Sequence, residues 1–317
     1  MELSHGYHPK DLPSSDAINR YLKQKGYIKV KEPKGNIPSG KCSNTAKRFH
    51  DLWEMDAQGT INVKGIGYHS MINIKDSKSK VYCMSFPVST KGKMSQPKTN
   101  SYYWALRLAF EEFGMPRAIQ VDKDSVFIDN TSKSPFPSRL HLFLIGLGIK
   151  LCFIDVPPPR KQAMVERSHQ TIDGQVTKGQ EYSNWKALFQ QTNRRRKVLN
   201  ENYPSRSLNN QAPLVAFPKA KHSGRFYTVE NEDDLINLKH IFKYLAKCVW
   251  YRKVSSVKTV SLDSCIYYLK NATTGTHVQI KFCNRSKKLI FRDVNELIIA
   301  KLPMREFSKK KIMGDMV

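Results

Sequence analysis

Three acidic side chains come from separate segments of the sequence and together have the composition of a two-metal site. Asp56 lies in the apolar run LWEMDAQG, Asp122 follows the apolar run AIQV, and Glu166 lies in the polar, basic stretch QAMVERSHQT. A two-metal phosphoryl-transfer site needs such residues, because carboxylate oxygens are the protein ligands that hold Mg²⁺ or Mn²⁺ well. If the fold gathers them, these three residues predict a metal-dependent phosphoryl-transfer centre.

The charge balance of the chain points to a polyanionic partner. Its 317 residues include 53 Lys and Arg against 27 Asp and Glu, a formal net charge of +26, with 40% hydrophobic residues. That composition suits a folded protein with a sizeable core, and the basic excess favours nucleic acid as the partner. No apolar run reaches the length of a membrane span and the N-terminus lacks a signal-peptide core, so we expect no membrane association.

The six cysteines do not have the spacing of a metal site. They lie far apart, with no C-x-x-C pair and no accompanying pair of histidines. We therefore expect reduced, mostly buried thiols of an intracellular protein, and no zinc module.

Basic residues are concentrated in two flanks around a more balanced middle. Residues 1–50 carry 10 basic and 4 acidic side chains, residues 51–218 carry 23 and 14, and residues 219–317 carry 20 and 9. Both flanks are thus more basic per residue, which predicts DNA-binding arms around a catalytic core. In the first flank, Pro13 to Gly26 has the capped start, apolar face and glycine stop of one helix, followed by a basic linker.

Residues 51–218 alternate between strand and helix patterns. Short apolar runs predict strands, and apolar residues at helical spacing predict the helices between them. The predicted strands are Trp53–Gln58, Tyr68–Ile74, Val81–Val88, Ala118–Val121 and Lys150–Ile154, and the predicted helices are Thr99–Phe113, Pro137–Leu147, one from Ala163 onward, and Trp185–Asn200. This order predicts a ribonuclease-H-like α/β core, a mixed five-stranded sheet with helices.

Beyond residue 219 the apolar pattern changes to a period of two, which is typical of half-buried strands. Five short strands within residues 257–299 predict a small β-barrel. They are Val257–Leu262, Cys265–Leu269, Val278–Phe282, Leu289–Phe291 and Leu297–Ile299.

Four sequence motifs resemble those of the integrase-type DDE transposases of bacterial insertion sequences, within the retroviral integrase superfamily. The resemblance covers roughly residues 51–218. The first aspartate of that family follows a tryptophan, the second begins a D-N-G-x-x-F type motif, the glutamate lies in an N-x-x-V-E-R-x-H-x-T type helix, and an N-x-R-P-H-x-S-L…T-P signature closes the domain. The matching segments are Trp53–Asp56, Asp122–Phe127, Gln162–Thr171, and Asn202–Pro204 with Ser207-Leu208 and Ala212-Pro213.

The resemblance implies a fold, an activity and partners. It implies a ribonuclease-H-like catalytic core over residues 51–218, a partial helix-turn-helix in residues 1–50 and an SH3-like β-barrel in residues 219–317. In the implied activity, Asp56, Asp122 and Glu166 hold two Mg²⁺ or Mn²⁺ ions for DNA cleavage and 3′-hydroxyl strand transfer. The expected partners are double-stranded DNA, at element ends and target, and further copies of the chain in a dimer or tetramer. The expected location is the bacterial cytoplasm, at the nucleoid.

Several basic residues are candidates for DNA contacts. His169 lies one helical turn from Glu166, so it either orients that carboxylate, touches a scissile phosphate or is a plain surface histidine. Arg167 either contacts DNA or forms a salt bridge. A basic run in the last predicted helix is either a solvated face or a phosphate contact, and it consists of Arg194, Arg195, Arg196 and Lys197.

Differences from the family pattern keep two other functions open. Lys123-Asp124 replaces the usual Asn-Gly after the second aspartate, so Asp124 is either a turn residue or a rival ligand, and only one helix of the helix-turn-helix is evident. A degenerate or domesticated transposase would then act only as a DNA-binding protein. A third possibility keeps the fold but makes the chain a ribonuclease or structure-specific nuclease.

Overall fold

Amphipathic segments at both helical and strand periods give the chain a mixed α/β architecture, seen here in a computed structural model. The structure describes residues 13–25, 27, 34–35, 46–128, 133–154, 163–305 and 307–314. Residues 1–34 and 35–317 form two separate compact units. In the first unit, helix α1 runs from Ser15 to Gln24, and the hydroxyl of Ser14 accepts a hydrogen bond from the amide of Ala17. The helix predicted between Pro13 and Gly26 is confirmed, whereas a helix-turn-helix is not shown.

The second unit is built on a mixed sheet whose strand order is that expected of a ribonuclease-H-like core. Strand β3 pairs antiparallel with both β1 and β4, whereas β1, β5 and β6 are parallel neighbours. The short strand β2 pairs with the start of β3, so the sheet has six strands rather than five. The bounds are β1 Trp53–Ala57, β2 Ile61–Val63, β3 Gly67–Asp76, β4 Tyr82–Ser89, β5 Ala118–Val121 and β6 Lys150–Phe153.

Helices cover both faces of this sheet. The helices of residues 51–218 are α2 Thr99–Phe113, α3 Arg139–Gly146, α4 Ala163–Ile172, α5 Trp185–Glu201 and α6 Pro213–Ala216, with a π-helical turn at Asp173–Thr177. Strand β1 and helix α2 meet where Trp53, fully buried, packs its ring 5.8 Å from that of Phe110. Helix α2 ends at Gly114, whose positive φ of 71° lets its amide bond back to the carbonyl of Phe110.

Helix α4 presents its apolar and small polar side to the other face of the sheet. Val165, Ser168, His169 and Ile172 are buried, and their spacing of three and four residues places them on one side of the helix. Glu166 falls outside that side and is exposed. The helix therefore directs His169 at the sheet and leaves Glu166 exposed.

The segment after residue 219 combines short helices with two antiparallel sheets. Strands β7, β10, β11 and β12 form a four-stranded sheet, and β8 and β9 form a two-stranded one. This pairing does not show the predicted SH3-like barrel, and the strand between Val249 and Lys253 was not predicted. The bounds are α7 Glu232–Leu235, α8 Leu238–Leu245, β7 Val249–Lys253, β8 Thr259–Leu262, β9 Cys265–Tyr268, β10 His277–Cys283, β11 Lys288–Arg292, β12 Ile298–Pro303 and α9 Lys309–Met313.

Buried polar contacts join this last segment to the helices of the core. The guanidinium of Arg107 in α2 donates to Glu232 at 2.8 and 2.6 Å and to the carbonyl of Met313 at 2.8 Å. The hydroxyl of Tyr103 donates to the carbonyl of Ile312 at 2.6 Å, and the indole of Trp250 donates to that of Pro135 at 3.1 Å. The apolar core is accordingly continuous from the sheet into residues 219–313.

Two expectations from composition have different outcomes. Cys83, Cys248, Cys265 and Cys283 are free thiols, but Cys152 is disulfide-bonded, so the expectation of reduced thiols is wrong for that residue. Within the described ranges, none of the helices is long and apolar enough to cross a membrane.

Candidate carboxylate site

Strand register places Asp56 in a row of polar residues that crosses the sheet. Asp56 in β1 lies opposite Asn73 in β3, and Asn73 lies opposite Ser85 in β4. On the other side, Glu54 of β1 lies opposite Gln120 of the parallel strand β5. Asp122 follows directly after β5, and partial burial and then the negative charge of Asp56 raise the pKa of its carboxyl. The two aspartates are therefore close enough to interact, and their role as metal ligands stays a prediction.

A chain of hydrogen bonds fixes the carboxylate of Asp56. The hydroxyl of Ser85 donates to Asn73 Oδ1 at 2.6 Å, and Asn73 Nδ2 lies 2.8 Å from His169 Nδ1. An amide nitrogen only donates, so Nδ1 accepts and the imidazole proton sits on Nε2. Nε2 then donates to Asp56 Oδ2 at 3.2 Å. One hypothesis from the sequence is that His169 orients the carboxylate of Glu166. In the structure His169 instead orients the carboxylate of Asp56.

Asp122 is exposed at the end of the row, and the charge of Asp56 affects its ionisation. Partial desolvation, followed by the negative charge of Asp56, raises the pKa of the Asp122 carboxyl above its ordinary value. Its Oδ1 accepts a hydrogen bond from the amide of Asp124 at 3.2 Å. The carboxylate of Asp124 itself accepts from the amide of Val126 at 3.0 Å, which assigns Asp124 to the turn.

Tyr102 of helix α2 is a member of the site that the sequence did not reveal. Its buried ring packs edge-on against Phe127, with centroids 5.3 Å apart. Burial, followed by the charges of Asp124, Asp56 and Asp122, raises the pKa of this phenol well above its ordinary value. Tyr102 is therefore a neutral hydrogen-bond donor beside the two aspartates. Its spacing in the sequence marked it only as part of an apolar helix face.

Glu166 is near His169 in the sequence, but no contact with the row of polar residues is observed for it among the described residues. It lies one helical turn before His169 and is exposed, and the described residues give its carboxylate no hydrogen bond or ion pair. Among those same residues, no group of three His, Cys, Asp or Glu side chains is arranged to hold a metal ion. The role of Glu166 as a third ligand stays a prediction.

The pair of aspartates nevertheless has the donors that a divalent cation requires. Mg²⁺ is commonly held by one or two carboxylates, with waters and substrate phosphates completing its ligands. The mutual repulsion that raises the pKa of Asp122 is the interaction that a cation between the carboxylates would reverse. Asp56 and Asp122 therefore fit a Mg²⁺ or Mn²⁺ ion.

The predicted DNA-contacting residues of α5 fall into two groups. Arg194 and Lys197 are exposed, and Arg195 is half-buried with its Nε 2.6 Å from Gln175 Oε1. Arg196 is buried, because its guanidinium contacts the carboxylate of Glu112 and donates to the carbonyl of Tyr82 at 3.1 Å. The hypothesis that Arg196 contacts a phosphate is therefore wrong, since its guanidinium is buried and paired with Glu112. Its partners lie far away in sequence, so the basic run did not reveal its burial.

Comparisons with known proteins give low similarities. No protein-family model matches the chain. Among solved structures, it is similar to the catalytic core domain of bovine immunodeficiency virus (BIV) integrase, with a TM-score of 0.39 and 12% identity over 54% of this chain and 95% of that one. The catalytic core of HTLV-2 integrase in complex with magnesium gives 0.38 and 15%, over 53% and 95%.

A third similar structure is a larger assembly. The simian T-cell lymphotropic virus intasome in complex with PP2A regulatory subunit B56 gamma gives a TM-score of 0.37 and 14% identity, over 66% of this chain and 68% of that one. TM-scores below 0.5 do not establish a shared fold. The strand order and the row of polar residues rest on the structure of this chain alone.

Proposed function

We propose that this chain is a metal-dependent polynucleotidyl transferase that cuts DNA and joins a 3′-hydroxyl to target DNA, as a DDE transposase or integrase does. The observation that supports the proposal is that Asp56 lies on β1, Asp122 directly follows the parallel neighbour β5, and the charge of Asp56 acts on the Asp122 carboxyl. A carboxylate pair in a chain of net charge +26 combines a cation site with an affinity for a polyanion. Double-stranded DNA is such a polyanion, and a divalent cation at the carboxylate pair would act on its phosphodiesters.

In this proposal some side chains bind the cations and others orient the side chains that bind them. Asp56 and Asp122 would hold Mg²⁺ or Mn²⁺, and Glu166 would be the third ligand. The chemistry that two such ions supply is activation of the attacking oxygen and stabilisation of the departing one. His169 and Asn73 hold Asp56 in one orientation. Tyr102 closes the inner wall and offers a hydrogen bond.

The reaction needs no further co-reactant. A water in cleavage, or a 3′-hydroxyl in joining, attacks the phosphorus of a phosphodiester, and the opposite P–O bond breaks as the new one forms. The proton of the attacking oxygen passes to solvent. Two DNA ends must be held together for joining, so a homodimer or tetramer on DNA, at the bacterial nucleoid, belongs to the proposal, with the basic segments 1–50 and 219–317 as DNA-binding arms.

The decisive experiment measures strand cleavage and joining on duplex DNA with Mg²⁺ or Mn²⁺ for the wild type and for Glu166→Gln. Activity should fall at least about a thousandfold in the variant, while DNA affinity stays within a factor of two. Glu201→Gln, an exposed glutamate on α5, is the matched control and should stay active. Unchanged activity in Glu166→Gln would remove Glu166 from the site. An RNA–DNA hybrid cleaved in preference to duplex DNA would indicate a nuclease.

A second function is supported by the position of Glu166 outside the aspartate pair. A domesticated transposase would bind DNA through its basic surfaces and cut nothing. Salt-dependent binding by the wild type, with no metal-dependent cleavage of any DNA substrate, would favour this alternative.

A further inference from the structure

A cavity lined by four cationic side chains lies on the side of α4 that faces α5. Its volume is about 440 Å³, and its walls come from β3, the β3–β4 turn, α4 and the segment after α5. Its cationic members are Lys75, Lys80, Arg167 and Arg206, and no acidic residue is among the described residues that line it. We call this cavity the basic pocket.

Lys75 is the unusual member of the basic pocket. Only 8% of the residue is exposed, and its ammonium lies 4.0 Å from the centre of the Tyr82 ring. Burial, and then the charge of Lys80, lowers the pKa of Lys75 to about 8. The buried Glu54 lies opposite it on β1, but in the described part of the chain Lys75 forms no ion pair. A desolvated ammonium without a carboxylate at contact distance is costly unless an anion joins it.

The remaining walls of the basic pocket include residues with hydroxyl groups. Thr171 of α4, Tyr82 of β4 and Tyr203 after α5 line the cavity beside the cations. Part of the closing sequence signature, Tyr203-Pro204 and Ser207, also lines it. Nothing in the proposed chemistry at the aspartates uses this signature. Thr171 Oγ1 donates to the carbonyl of Arg167 at 2.9 Å. The donors that remain for a tetrahedral oxyanion are therefore the four cations and the hydroxyls of Tyr203 and Ser207.

We propose that the basic pocket binds a single phosphate group. The phosphate comes either from a nucleic-acid backbone or from a free phosphate ion, since both present the same oxygens. Lys75 and Asn73 are two residues apart on β3 and share a face, so the pocket begins about 7 Å along the strand from the aspartate row. A DNA strand can therefore reach both places, but phosphate binding in the pocket does not depend on the proposed catalysis.

The test measures the binding of inorganic phosphate by calorimetry and of a short duplex DNA by fluorescence anisotropy. Lys75→Met should weaken the binding of the true ligand about tenfold, and Arg206→Ala about threefold. Lys78→Met is the matched control, because Lys78 is exposed in the same β3–β4 turn and does not line the pocket. That control should stay within a factor of two of the wild type.

The two arms separate the sources of the phosphate. Weakened phosphate and DNA binding together identify a backbone phosphate site, and weakened phosphate binding alone identifies a site for the free ion. Arg206 is exposed, so Arg206→Ala keeps the test valid even if Lys75→Met does not fold. Equal affinities of Arg206→Ala, Lys78→Met and the wild type for both ligands would overturn the proposal. Retained phosphate binding with no DNA cleavage would overturn only the catalytic proposal.

Discussion

The aspartate row and the basic pocket lie on one face of one sheet, yet they have opposite charge requirements. Asn73 belongs to the aspartate row and Lys75 to the basic pocket. The two residues are two apart on β3, so their side chains point to the same side of the sheet. In the row, partial burial and then the charge of Asp56 raise the pKa of Asp122, and in the pocket burial and then the charge of Lys80 lower the pKa of Lys75. Both sites are thus strained electrostatically until a ligand of opposite sign arrives, a cation in one case and an anion in the other.

The largest expected effect tests the acidic side of this comparison. Asp122→Asn should abolish metal-dependent cleavage and joining, by at least about a thousandfold, because half of the carboxylate pair is lost. Stability should not fall, since the raised pKa of Asp122 means that its charge is unfavourable in the folded protein at neutral pH. Activity assays and urea denaturation of the same preparation measure both quantities. A large loss of stability would contradict the repulsion between the two aspartates.

The basic side predicts a distinct dependence of stability on pH. The pKa of Lys75 is lowered to about 8 in the folded protein, so between there and its unfolded value the unfolded state binds more protons. Lys75 should therefore make the free energy of unfolding rise with pH in that window, by up to ~3 kcal/mol. Urea denaturation at several pH values compares the wild type with Lys75→Met, which should lose this rise, and with Lys78→Met, which should keep it. Bound phosphate should shift the rise to higher pH.

Asn73→Ala separates the two sites more finely. Without the amide, His169 loses the partner that fixes its tautomer, and the orientation of Asp56 is no longer enforced. We expect activity to fall about tenfold to a hundredfold, as for residues that orient metal ligands. Phosphate binding in the basic pocket should be unchanged, as calorimetry would reveal. Equal loss of both functions would indicate that the face behaves as one site.

The smallest effect concerns the exposed surface of α5. Arg194→Ala should weaken DNA binding by less than about threefold and reduce the salt dependence of the affinity by one phosphate contact. The effect should be smaller than that of Arg206→Ala, because Arg194 stands in solvent and Arg206 lines a cavity. Anisotropy titrations at several salt concentrations measure both slopes. A larger loss for Arg194→Ala would move the main phosphate contacts from the pocket to α5.

The sequence predicted those elements whose stability is local or whose apolar period is plain. Helix α2, Thr99–Phe113, and strand β5, Ala118–Val121, have the bounds that their patterns predict. Strand β7, with the sequence VWYRK, was missed because it lacks alternation and is defined by its pairing with β10, which comes more than twenty residues later. Pairing between distant segments does not appear in a local pattern.

The same limit applies to the candidate site. The sequence motifs were enough to select Asp56 and Asp122, and the charge of Asp56 does act on the Asp122 carboxyl in the structure. Asn73 and Ser85 could not be anticipated, since their place in the row depends on a register that shifts every side chain to the other face if it slips by one residue. His169 was selected as a residue of interest, but its partner was not.

The buried contacts of Arg107 set a condition on how the protein can be divided. Glu232 and the carbonyl of Met313 both belong to the segment after residue 219, and they satisfy a guanidinium that is 1% exposed on the helix that also carries Tyr102. A truncated protein ending at residue 218 would lose both partners of this guanidinium and would expose the apolar core surface that the tail covers. Residues 51–218 should therefore be expressed together with residues 219–317, since a fragment without them would not fold stably.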